Sequence, residues 1–148
     1  MFHKLNHVAP LDDYRLLVQF AEGVSKIYDV KPVFDEIPAF QQLKENGLFE
    51  KAHVGPGGYG VIWNDEIDLS CEELFYGGTD IATPFDGLVA FVEATRMWGL
   101  NESTLRKAIA YGKLKAGVDA CKYGKQWVVS TKAMRREYGE PKTHKKDL

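Results

Sequence analysis

Between Glu93 and Ile109 the chain reads Glu-Ala-Thr-Arg-Met-Trp-Gly-Leu-Asn-Glu-Ser-Thr-Leu-Arg-Lys-Ala-Ile. Its apolar positions, Ala94, Met97, Trp98, Leu105, Ala108 and Ile109, fall at helical spacing on either side of a Gly-Leu-Asn break. Two helices joined by a tight corner follow. Gly99 can end the first by taking a left-handed backbone angle without steric cost, and Asn101 can cap the free amides that open the second. That is the grammar of a helix-turn-helix. With Leu105, Ala108 and Ile109 inward, the opposite face of the second helix shows Ser103, Thr104, Arg106 and Lys107, with Ala110 beyond them. Two short hydroxyls and two cations can meet base edges and phosphates. The same pattern also suits two helices of any small core with a solvated, charged exterior.

The flanking residues favour the first reading. Upstream, Thr83-Pro84-Phe85-Asp86 offers a cap, a proline at the first helical position and an acid at the third, and Leu88, Phe91, Val92 and Thr95 continue a helical stripe. The first helix is therefore expected to run from Pro84 to Trp98. Gly87, which costs roughly 1 kcal/mol relative to alanine, leaves a start near Val92 as the competing reading. Downstream, Gly112-Lys113-Leu114-Lys115 leaves the second helix through a basic turn. Ala120–Tyr123 and Gln126–Val129 flank Gly124-Lys125 as a hairpin whose tip carries Lys122, Tyr123, Lys125 and Gln126. Ser130 caps a last helix, Thr131 to Tyr138, which Gly139 ends and whose inner face is Ala133, Met134 and Tyr138. Helix, turn, helix, basic hairpin, helix is a winged arrangement, with cations where a neighbouring groove or backbone would pass. Trp98, Leu105, Ile109 and Trp127 are assigned to its core.

The net charge of -2 over 148 residues hides a split. Met1–Asp80 holds 6 Lys or Arg against 14 Asp or Glu, a net of -8, whereas Ile81–Leu148 holds 13 against 7, a net of +6. A nucleic-acid module joined to an acidic partner domain carries such an asymmetry, as do two halves that neutralise each other. Cys71 and Cys121 stand far apart with no partner at metal-ligand spacing and read as reduced cytosolic thiols. Met1-Phe2-His3-Lys4-Leu5-Asn6-His7 lacks the apolar run of a signal peptide, and no stretch approaches ~20 apolar residues. A cytoplasmic protein without a membrane span is expected.

In the acidic half, Tyr14–Phe20 and Lys26–Val30 are β-rich around Gly23, which reads as a hairpin preceded by a turn at Asp12-Asp13. Lys31-Pro32 is expected to close the second strand, and short helical pieces follow from Ile37 to Leu43 and Gly47 to Glu50. Ala52–Val54, Gly60–Trp63 and Ile67–Leu69 look like further strands, with a turn at Asn64-Asp65. Ser70 to Glu73 is a capping box opening a short helix that ends near Tyr76. Gly55-Pro-Gly-Gly-Tyr-Gly60 matches G-x-G-x-x-G, but a dinucleotide site needs a helix directly after the last glycine and Val61-Ile62-Trp63 is strand-like. A flexible loop or bulged hairpin is the expected structure. Asp65, Glu66 and Asp68 fit no calcium loop, His3, His7 and His53 pair with nothing at ligand spacing, and no Ser, Cys or Thr lies in a nucleophile motif. Neither a metal nor a cofactor is called for, and no enzyme is expected.

Two resemblances add to this reading. The order Asp-Asp-Tyr-Arg-Leu-Leu-Val, Tyr-Asp-Val-Lys-Pro, the glycine-rich loop, Trp63-Asn64, Ile67-Asp68-Leu69 and Leu74–Tyr76 resembles the bacterial domain of unknown function (DUF) family 2442, over about Val8 to Tyr76. That resemblance implies a small α+β domain often found beside helix-turn-helix modules or toxin-like partners, and no catalytic residue. The second half is similar to the MerR and phage-excisionase class of winged helix-turn-helix domains, over about Leu88 to Tyr138. The likeness is carried by Glu93-Ala94, Trp98-Gly99-Leu100, Glu102 to Ile109, Gly112-Lys113-Leu114 and Gly124-Lys125-Gln126-Trp127. It implies major-groove docking of the second helix and backbone contact from the wing. Members of that class usually carry Ser or Thr just before the Glu-Ala pair, where this chain has Val92, which leaves the start of the first helix open.

The expected architecture is α+β: an acidic α+β domain over residues 1–78 for partner binding or dimerisation, a winged helix-turn-helix DNA-binding domain over 79–139, and a flexible basic tail over 140–148. The expected function is a sequence-specific, DNA-binding transcriptional regulator, with an antitoxin-type autorepressor as its narrower form. Ser103, Thr104, Arg106 and Lys107 would approach double-stranded DNA from the second helix, Lys122, Lys125 and Gln126 from the wing, and Lys113 and Lys115 from the turn between. One module reads few bases, so a homodimer on paired half-sites is expected, and the acidic domain could grip a basic toxin-like protein. The alternative is a protein-interaction adaptor whose basic domain contacts an acidic protein or RNA.

Overall fold

Leu16, Val18 and Phe20 are fully buried and alternate with more exposed neighbours, the period-two pattern of a strand that lays one face on a core. In the computed structural model, which describes Phe2 to Lys142, they lie on the second of three consecutive antiparallel strands, β1 (Leu5–Leu11), β2 (Arg15–Phe20) and β3 (Ser25–Asp29). Val8 pairs with Val18, and Leu16 with Tyr28. Pro10 is tolerated because β1 is an edge of the sheet, where a missing amide breaks no ladder. The hairpin at Gly23 is as expected; β1, with its mixed polarity, is not foreshadowed. Lys31-Pro32 does more than end β3: it opens helix α1 (Lys31–Glu36), with proline in the first turn where its lost amide costs nothing. Two 3-10 segments follow, Pro38–Lys44 and Leu48–Lys51.

A second sheet joins β4 (His53–Val54), β5 (Gly60–Ile62) and β6 (Asp68–Ser70), and helix α2 (Cys71–Gly77) opens on the Ser70 hydroxyl, which accepts the Glu73 amide at 3.1 Å. The glycine-rich stretch turns β4 back onto β5 and no helix follows it. Two of its glycines answer to close backbone packing. A Cβ on Gly58, at φ +80, would meet the Leu5 carbonyl oxygen at 2.7 Å, and one on Gly60 the Leu69 oxygen at 2.5 Å. Around these elements Trp63 donates its indole N–H to the Phe49 carbonyl at 3.0 Å and packs with Phe40, Phe49, Ile67 and Leu74 in one core.

Gly77 and Gly78 lead from α2 directly into a further strand. Thr79–Ile81 is β7, paired antiparallel to β3, so these residues complete the first sheet in the order β1-β2-β3-β7.

The chain divides into two compact units, the first built mainly from residues 2–84 and the second from Phe85 onward. The second unit corrects the longer of the two readings of its first helix. Residues 84–87 form a turn, Leu88–Ala90 is strand β8, and helix α3 runs Phe91–Trp98. Gly87 at φ +74 halts any helix from Pro84, and β10 (Gln126–Ser130) takes Leu88–Ala90 as a pairing partner through Val129↔Val89. Helix α4 (Glu102–Ala110), strand β9 (Ala120–Tyr123) and helix α5 (Thr131–Tyr138) complete the unit, with its sheet ordered β8-β10-β9. Ser130 caps α5 by accepting the Ala133 amide at 3.2 Å. The core is Val89, Phe91, Ala94, Met97, Trp98, Leu105, Ala108, Leu114, Ala120, Val129, Ala133 and Met134. Trp98, almost wholly buried, donates its indole N–H to the Gly139 carbonyl at 2.7 Å. Of the expected basic tail, residues 143–148 lie outside the described residues.

Candidate nucleic-acid interface

Gly99 makes the corner between α3 and α4: at φ 67, ψ 36 it is left-handed, and the Leu100 amide returns to the Thr95 carbonyl at 3.0 Å. Asn101 then caps α4. Its side-chain carbonyl oxygen accepts the Thr104 amide at 2.9 Å, the Thr104 hydroxyl at 3.0 Å and the Ser103 hydroxyl at 2.6 Å. Both hydroxyls are thereby committed as donors to the cap, and toward solvent they offer oxygen lone pairs. Thr104 is half-buried; Ser103 is exposed.

Leu105 and Ala108 hold α4 against the core, and Glu102, Ser103, Arg106, Lys107 and Ala110 form its open face. Tyr111, at the end of the helix, is 83% exposed. The chain then turns at Gly112, φ +83, and is pinned by the fully buried Leu114, whose amide bonds the Ala108 carbonyl at 3.1 Å. Lys113 does not project freely: its ammonium rests 4.4 Å from the centre of the Tyr138 ring. Lys115 acts through its main chain, its carbonyl accepting the Asp119 amide at 2.7 Å and its own amide bonding Asp119 Oδ2 at 2.9 Å.

The hairpin places Tyr123 opposite Gln126 and Lys122 opposite Trp127, with Gly124 at φ +63 in the two-residue bend. Lys122, Tyr123, Lys125 and Gln126 are all exposed. Trp127 is half-buried, its ring stacked on Phe91 at 5.7 Å and 15°. Between the hairpin tip, the first turns of α4 and the start of α3 runs a groove of about 300 Å³ lined by Ala90, Phe91, Val92, Glu102, Arg106, Lys125, Gln126 and Trp127. It brings together Arg106, Lys125 and Gln126 from two elements far apart in sequence. Lys107 and Lys122 are exposed outside the groove lining, and Lys113 and Lys115 belong to the turn beyond α4.

Four residues of this unit that bear on the site were not assigned to it from the sequence. Glu102 was legible in principle, standing directly after the cap and four residues before Arg106; its Oε2 lies 3.8 Å from Arg106 Nη1. Val92, 66% exposed, gives the groove an apolar wall. Asp119 and Arg136, 17 residues apart, join across the turn and α5, a pairing that no local spacing signals. Among the described residues no three His, Cys, Asp or Glu side chains could hold a metal ion, and no helix is long and apolar enough to cross a membrane.

Residues 5–80 match the family model described as Protein of unknown function (DUF2442), and residues 82–143 match one described as a Helix-turn-helix domain. No curated protein matches the chain. Among solved structures, the chain is similar to the crystal structure of a "Putative DNA Binding Protein" from Nitrosomonas europaea, with 17% identity, a TM-score of 0.42, and coverage of 74% of this chain and 76% of that one.

Proposed function

Since the chain belongs to the DUF2442 family and carries a helix-turn-helix domain after it, we propose that it is a sequence-specific DNA-binding regulator of transcription, acting in the cytosol. The observation that carries this reading is the convergence of Arg106 from α4 with Lys125 and Gln126 from the hairpin on one open groove, beside the exposed Lys107. Helix α4 enters the major groove in the manner of MerR and excisionase domains, and the hairpin holds the backbone of the passing strand. One such unit reads few base pairs, so two copies on paired half-sites are required for nanomolar specificity. Titration of a duplex from the upstream promoter at increasing salt tests the reading: affinity falls steeply with salt. An adaptor for an acidic protein or RNA ignores duplex DNA at every salt concentration, and that result would replace the regulator with the adaptor.

The charge split favours a narrower form, in which the acidic unit, net -8 over residues 1–80, grips a basic toxin-like protein and the chain represses its own operon. Co-expression with the adjacent gene product tests it. Co-purification that tightens promoter binding supports the idea, and absence of any complex removes it.

A further inference from the structure

We propose that Glu102 is the residue through which this face discriminates between duplexes, a role that rests on the reading of the second unit as a DNA-binding domain. Glu102 is the acidic member of a groove whose other polar side chains are Arg106, Lys125 and Gln126. Its carboxylate lies 3.8 Å from the Arg106 guanidinium, and both side chains are about half exposed, at 49% and 58%. So open an ion pair contributes little to stability. Its share in the fold is small: an acid in the first turn adds a modest favourable charge, while Asn101 makes the cap and Leu105 and Ala108 anchor the helix.

The carboxylate acts instead on what reaches the groove. In the free protein it stands beside a guanidinium fork whose geometry suits a phosphate or a guanine edge. It also sets a negative charge where the polyanionic backbone would pass. Sequence-independent binding is almost wholly charge attraction, so Glu102 weakens it. The loss is recovered only where the DNA offers a donor: in the major groove a carboxylate accepts from the N4 amine of cytosine. Such a contact satisfies Glu102 and frees Arg106 for a neighbouring guanine or phosphate. Position supports this, because the first residues of a reading helix meet base edges and Glu102 is the first residue of α4. Discrimination then comes from penalising wrong sites as much as from rewarding right ones.

The test uses the full chain with Glu102→Gln, Arg106→Ala and the double variant, measured against a random-sequence duplex and by selection of sites from a randomised pool. Glu102→Gln is expected to bind the random duplex roughly three- to tenfold tighter. Its salt dependence should steepen by about one phosphate contact, and its selected sites should lose one cytosine preference. In the Arg106→Ala background the part of the gain that acts through Arg106 should vanish, while the part that comes from removing the carboxylate's own charge should remain. Melting of each variant at the wild-type temperature confirms that the fold is kept. Unchanged or weaker random-duplex binding by Glu102→Gln, or the same selected motif, overturns this role alone. A wild-type chain that binds no duplex overturns the regulator reading and the role with it.

Discussion

The Asp119 carboxylate receives both terminal nitrogens of the Arg136 guanidinium, at 3.1 and 2.8 Å, while the Lys115 amide bonds the same carboxylate at 2.9 Å. One acidic side chain thus ties the turn ahead of β9 to helix α5. The Arg136 fork, then the Lys115 amide, holds the Asp119 carboxyl at about 2, well below the usual carboxylate range. The side chain is almost buried although its arginine partner is half exposed.

Asp119→Asn keeps the size and loses the charge, so the turn is expected to loosen and the melting temperature at neutral pH to fall by several degrees. The sign of the pH effect follows from a folded value lower than the unfolded one. The stabilisation is fully present above about pH 4 and is lost as pH falls through about 2. Wild-type melting should drop across that window and the variant's should be flatter there; identical curves would dissociate the ion pair from stability.

Asn101→Ala removes the acceptor of three donors at the start of α4. The expected cost is about 1 kcal/mol of stability, with the Ser103 and Thr104 hydroxyls released to solvent. Chemical denaturation measures the first effect. A promoter duplex should bind this variant several-fold more weakly than wild type, since the first turn of the proposed reading helix frays.

Gly58→Ala places a methyl group against the Leu5 carbonyl oxygen at a backbone angle that side chains resist. A destabilisation of roughly 2 kcal/mol or more is expected in the first unit. Adding ATP or NAD to the wild type should leave its melting temperature unmoved, because two of the loop's glycines serve close packing and no helix follows them to receive a phosphate. A nucleotide-dependent rise would contradict this account.

Lys107→Glu and Lys113→Glu separate two lysines that look alike in sequence. Lys107 stands exposed on α4, whereas the Lys113 ammonium lies over the Tyr138 ring. Reversing Lys107 is expected to reduce duplex affinity by tenfold or more, and reversing Lys113 to reduce it much less while lowering the melting temperature slightly. Equal losses in a fluorescence anisotropy titration would place both lysines on the duplex.

What could be read from the chain alone was whatever a few neighbouring residues settle between themselves. Gly99 stops α3 because only glycine takes its angle without strain, and Asn101, Ser70 and Ser130 each cap a helix through a side chain that reaches the amide three residues on. The hairpin around Gly124-Lys125 and the buried stripe of α4 belong to the same class of local chemistry. Tertiary structure decided the rest, because the partners lie far away along the chain. Leu88–Ala90 carries a helical stripe yet becomes a strand once β10 offers it a ladder, and Thr79–Ile81 becomes an edge of the first sheet through β3. Gly58 is needed because β1 passes within contact of it, and Asp119 finds Arg136 only after α5 has folded back. Side-chain identity governs the short-range hydrogen bonds; the gain from pairing a distant strand or burying a distant charge exists only when the chain has closed the loop between them.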